Sequence, residues 1–191
     1  MTLEYLPSLR SFIMTAPIYP SVENFERSEL TTFEKGMTYK TSSNAKHSFE
    51  LTIVEDGATP SGIMSTELLG MGAKVLVVGD QSAVRLDFGE KVTNVSWNYC
   101  VVIDYTEEDL NAEHPDLVGT VDVTKLTALN FSEDFLVEAI PKEAIKEPDL
   151  SDDPGVHNKS LGTAIVTALI FKTSRVGSLQ IDSIRWEKVP D

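Results

Sequence analysis

The chain has one cysteine, three histidines and no cluster of lysine or arginine. A single thiol, Cys100, excludes an internal disulfide. The alternation around it predicts a small buried apolar side chain, and nothing basic stands beside it in sequence to lower its pKa. His47, His114 and His157 lie far apart and form no HxH or HxxxH pair, so a zinc site lacks its ligands. With a net charge of -14 and no basic patch, nothing is placed to displace counterions from nucleic acid or to hold anionic lipid. Neither nucleic acid nor a membrane is therefore expected as a partner. No apolar run approaches the roughly 20 residues that span a bilayer. Met1 to Ala16 carries Glu4 and lacks a basic region followed by a long apolar run, so no secretory signal is expected and synthesis is placed in the cytoplasm. Catalytic signatures are missing as well: there is no GxSxG elbow, no P-loop and no GxGxxG after a strand. Paired carboxylates occur by default in a chain with 30 Asp and Glu, so their presence decides nothing. The expectation is a non-enzyme.

What is present is enough for one packed domain. The 191 residues are 41% hydrophobic and 24% charged, a composition of a folded globular chain. Residues 1–21 read as an extended N-terminal arm. Pro7, Pro17 and Pro20 leave room only for a short turn near Ser8 to Met14, while Leu3, Tyr5, Leu6, Leu9, Phe12 and Ile13 are too apolar for a free tail. Such an arm either folds back over its own core or exchanges onto a neighbouring subunit, and the two readings stay open.

From residue 48 onward the apolar period is two, the signature of half-buried strands. Phe49, Leu51 and Ile53 alternate with Ser48, Glu50 and Thr52, and Asp56-Gly57 marks a turn. Val75 to Val78 is a short apolar run closed by Gly79-Asp80. Val84, Leu86 and Phe88 share a face ahead of Gly89. Val95, Trp97, Tyr99, Val101, Ile103 and Tyr105 share another, opposite Ser96, Asn98, Cys100 and Asp104. An acidic loop follows over 106–115, then a strand over Val118 to Val123. Pro141 breaks a helical pattern, leaving a strand from Phe135 to Ile140 and a turn. Residues 147–160 read as a long polar loop, and 162–173 as a central strand apolar on both faces. Between Ser178 and Glu187 the apolar set changes parity, from Leu179 and Ile181 to Ile184 and Trp186, as a β-bulge near Asp182-Ser183 would produce. Many short strands with turn signals and no repeated helices predict an all-β fold, an antiparallel β-sandwich or jelly roll over 22–191.

Asp149, Asp152 and Asp153 crowd one loop, but without the glycine and closing glutamate of an EF-hand the loop reads as solvated. Trp97, Tyr99, Tyr105 and Trp186 are the aromatic candidates for a sugar platform, although Trp97 and Tyr99 fall on the apolar parity of a core.

Two stretches carry a resemblance. Val22-Glu23-Asn24-Phe25-Glu26 resembles the opening of galactose-binding-like jelly-roll domains, the fold of many carbohydrate-binding modules. Leu179 to Trp186 resembles their closing strand, and Leu86 to Ser96 looks like a strand pair within them. The resemblance implies a structural calcium joining the first and last strands, with Glu23, Glu26 and Asp182 as its ligands; no other cofactor is implied. Asn24 departs from the family's Asp, and no sugar-contacting residue transfers.

The expected function is a non-catalytic structural or interaction subunit of a larger assembly, such as a virion structural or decoration protein of a virus or phage. Its partners are other protein subunits, including copies of itself, met through the arm. The alternative is a carbohydrate-binding module with a glycan partner and an exposed groove holding at least two aromatic side chains.

Overall fold

The computed structural model describes residues 21–41, 48–103, 134–152, 155–174 and 177–190. The arm residues Leu3, Tyr5, Leu6, Leu9, Phe12 and Ile13, the acidic loop at 106–115 and the strand over Val118 to Val123 lie outside them.

Eleven strands are described: β1 (Ser21–Glu23), β2 (Thr31–Thr32), β3 (Thr38–Lys40), β4 (Glu50–Glu55), β5 (Gly62–Ser65), β6 (Lys74–Val78), β7 (Ala83–Ile103), β8 (Phe135–Ile140), β9 (His157–Ser160), β10 (Val166–Thr173) and β11 (Gly177–Lys188). All pairings are antiparallel, and all strands belong to one continuous hydrogen-bonded ladder. The fold is all-β.

β7 turns that ladder into two layers. Its first part, Ala83 to Asp87, lies between β4 and β10, giving the order β3-β4-β7-β10-β8. Its later part, from Val92 on, lies between β11 and β9, giving β2-β5-β6-β11-β7-β9. The stretch between them departs from regular pairing, with Gly89 at φ 69° and Asn94 at φ 52°. Left-handed backbone of this kind bends a strand and increases its twist. One strand thus serves both sheets of an antiparallel sandwich.

The core fills the space between the layers. Trp97 of β7 meets Phe171 of β10 edge to face, ring centroids 5.4 Å apart. Phe49, beside β4, reaches Trp186 of β11 at 5.5 Å, and Phe88 reaches the same indole at 5.6 Å. Edge-to-face and tilted contacts at such spacings suit the ring quadrupole and add to the burial of large apolar area.

Most of the predicted strands are found. Phe49, Leu51 and Ile53 are buried as the alternation required, as are Val75 to Val78 and the Val95, Trp97, Tyr99, Val101 set. β8 spans Phe135–Ile140 and ends in a 3-10 turn at Lys142–Ala144. β10 runs between β7 and β8 as a central strand, but it starts at Val166 rather than residue 162.

The parity change in β11 is a bulge. Asp182 pairs with Asn98 and Arg185 with Ser96, so three steps along β11 match two along β7, and Ser183 sits at φ 51°. Leu179, Ile181, Ile184 and Trp186 consequently all face the core.

Three readings need correction. Residues 147–160 are not wholly loop, because His157–Ser160 forms β9 on the edge of β7. Leu86 to Ser96 is not a strand pair but the bent middle of the single strand β7. Ser21, assigned to the arm, already belongs to the sandwich, since it pairs with Trp186.

Candidate functional site

Glu26 and Asp182, distant in sequence, converge on Gly72, and Glu23 stands nearby in the chain on β1, which lies beside β11. Glu23 pairs with Ile184, two positions beyond Asp182. The carboxylates serve N–H donors there. Glu23 Oε1 accepts from the Phe25 amide at 2.7 Å. Glu26 Oε1 accepts from the Ala73 amide at 2.7 Å, and Asp182 Oδ2 from the Gly72 amide at 3.0 Å. Asp182 Oδ1 takes the amide of Ser183 at 2.6 Å. Each of the three carboxylates thus accepts at least one backbone N–H. Among the described residues, no group of three His, Cys, Asp or Glu is placed to hold a metal ion.

What these carboxylates hold instead is the β5–β6 loop, residues 66–73. Buried Asp182, 4% exposed, and Glu26 grip its returning limb. Thr66 and Ala73 close its base by a backbone hydrogen bond. At its tip Leu69 is 97% exposed. The loop is therefore anchored at its foot while it presents a leucine to solvent.

Beside that foot lies a pocket of about 380 Å³. Lys74, the first residue after the loop, donates from Nζ to the Ser28 carbonyl at 2.7 Å, and Ser28 lines the pocket. Phe33, Leu51 and Ile63 form an apolar floor; Thr31 and Tyr39 form walls; Arg27, Glu29 and Lys40 stand exposed at the rim. Tyr39 is held rigidly: its ring stacks on Phe33 at 4.4 Å, and its hydroxyl accepts from the Glu34 amide at 2.8 Å. Thr31 reaches the pocket because β2 lies close against Gly62, where a Cβ would come within 2.1 Å of the Thr31 carbonyl. The Ser28 hydroxyl is buried in the lining with no hydrogen-bond partner. The two next most exposed large apolar side chains lie in the chain segments that line the same pocket. Leu30, 56% exposed, lies between Glu29 and Thr31, and Met37, 54% exposed, lies in the turn joining Phe33 to Tyr39.

The remaining sequence candidates fall elsewhere. Trp97, Tyr99 and Trp186 are buried and offer no sugar platform; Tyr105 is outside the described residues. Among the described aromatic side chains, Tyr39 alone is not buried. The acidic loop at 149–152 is tied by a lysine: Lys159 Nζ donates to the carbonyls of Glu147 and Asp149, both at 2.7 Å. Burial lowers the pKa of that ammonium, against the opposing pull of Glu147 and Asp149. Asp153 is outside the described residues. Burial raises the Cys100 thiol pKa, only partly offset by the Gly155 amide, which keeps it a protonated packing residue.

The pocket and the loop tip had no sequence signal of their own. Glu67-Leu68-Leu69-Gly70-Met71 reads as a short apolar run in a loop, and only the fold shows that Leu69 points outward. No protein-family model matches the chain, and no curated protein matches it either.

Proposed function

We propose that this protein is a non-catalytic interaction subunit, one that builds or decorates a larger protein assembly. The observation that carries the reading is that Leu30 and Met37, next in exposure to Leu69 among the described large apolar side chains, sit in the chain segments that line one pocket, and that the loop bearing Leu69 is anchored beside it. Single exposed apolar residues are ordinary on a surface; a group of them framing an open apolar floor marks a contact site. Covering each side chain is worth about 1.5–3 kcal/mol before ordering costs are subtracted, so three of them supply a large part of what a specific contact needs. The hydrogen bonds that Glu26 and Asp182 accept from the Ala73 and Gly72 amides fix the loop beforehand, which reduces the entropy lost on docking.

The apolar arm supplies a second contact. Leu3, Tyr5, Leu6, Leu9, Phe12 and Ile13 dock on a neighbouring subunit and extend the assembly, as in the shell of a viral particle. Removal of residues 1–20 is expected to stop growth of the larger assembly while leaving the sandwich folded. Sedimentation velocity reads the first property, and near-ultraviolet circular dichroism with a thermal melt reads the second. A truncated protein that still assembles like the full chain refutes the role of the arm.

A further inference from the structure

The structure assigns a partner to the pocket face: we infer that it is a second copy of this chain, with Leu69 of each copy seated in the pocket of the other. This rests on the interaction-subunit reading and deepens it.

Knob and hole lie on one patch. The foot of the Leu69 loop touches Ser28 through Lys74, and Ser28 belongs to the pocket lining. A two-fold axis through such a patch places each knob against the partner's hole and closes the contact, as an isologous dimer requires. The chemistry is self-complementary as well. The pocket has an apolar floor of Phe33, Leu51 and Ile63 under a rim carrying Arg27, Lys40 and Glu29, two cations to one anion. The loop offers an apolar tip with exposed Glu67 two positions before it. Leucine on the floor brings that carboxylate to a rim with two cations. Lys40 is held in its own subunit only by an exposed pair with Glu50 at 3.2 Å, a contact weak enough to exchange.

Leu30 and Met37, exposed in the segments that line the pocket, are apolar side chains for the second copy to cover.

The test uses the full chain and two variants. Leu69→Asp removes the knob at a position exposed to solvent; Thr31→Trp fills the hole. Sedimentation velocity on the wild type is expected to show a dimer, or multiples of it where the arm also docks. Each variant alone is expected to dissociate, with Kd raised about 100-fold or more by placing a charge, or an obstructing ring, on the apolar floor. Mixed in equal amounts, the two variants are expected to associate again. One intact knob then meets one intact hole, which neither variant has by itself. Native thermal melts for both variants exclude unfolding as the cause, and Leu69→Asp alone keeps the test decisive if Thr31→Trp fails to fold. A wild type that stays monomeric overturns the inference. So does Leu69→Asp dimerising with wild-type affinity, or a mixture of folded variants that does not associate. If Leu69→Asp leaves association intact while removal of residues 1–20 abolishes it, this contact is wrong and the broader assembly reading stands.

Discussion

Glycine 72 sits where two carboxylates converge. A Cβ at this position would lie 2.3 Å from Glu26 Oε1 and 3.5 Å from Asp182 Oδ2. The Glu26 carboxylate has little freedom to retreat, because it holds the amide of Ala73. Gly72→Ala should therefore break the grip on the β5–β6 loop. Loss of one or two charge-assisted amide contacts is worth about 1–3 kcal/mol. The expected outcome is a urea midpoint lowered by that amount, with faster hydrogen exchange at Gly72-equivalent, Ala73 and Lys74 amides. Calcium and chelators should leave the melting temperature of the wild type unchanged, since among the described residues no three acidic groups are placed to hold the ion. A substantial calcium-dependent rise in melting temperature would restore the metal reading of Glu23, Glu26 and Asp182. That β1 lies beside β11, with Glu26 and Asp182 converging on Gly72, is shown by the structure. What these carboxylates hold was not legible beforehand, because carboxylates that accept N–H bonds and carboxylates that bind an ion are the same letters in sequence.

Elements were legible in proportion to how one-sided their burial is. β11 could be read down to its irregularity, because the core takes Leu179 and Ile181 on one parity and Ile184 and Trp186 on the other. β9 was hidden: His-Asn-Lys-Ser has no apolar face, and a short polar strand on the edge of β7 is stabilised by backbone pairing that leaves no mark in hydropathy. β2 has two residues and β3 three, too few for any period to register. β5 mixes Gly62, Ile63, Met64 and Ser65 without alternation. β2, β3 and β5 also carry walls or floor of the pocket, so the pocket was lost with them. The bulge itself makes a prediction. Ser183 holds φ 51°, a left-handed conformation that β-branched residues resist most. Ser183→Val should cost about 1–2 kcal/mol by denaturant titration. Ser183→Gly should be close to neutral, because relief of the backbone offsets the loss of the hydroxyl contact to Asp182 Oδ2 at 3.1 Å. If valine is tolerated as well as glycine, the left-handed residue is not what sets the bulge.

At the scale of the whole molecule, charge opposes the contact that the pocket face favours. Each chain carries a formal net charge of -14. A domain of this length has a diameter of roughly 40 Å, and two such charges at that separation repel by on the order of 20 kcal/mol in water before screening. The contacts between Glu67 and the Arg27 and Lys40 rim are exposed pairs worth about 0–1 kcal/mol each, so they cannot reverse the sign. Salt decides how much of the repulsion survives. The screening length is about 8 Å at physiological ionic strength and about 30 Å at 0.01 M, close to the distance between the two bodies. Self-association should therefore weaken as salt is removed, with Kd rising at least about tenfold between those conditions. That direction is opposite to the one expected if rim ion pairs drove binding. Sedimentation velocity across a salt series measures it. Tighter association at low salt would place the energy of the contact in its charged rim rather than in Leu69 and the apolar floor.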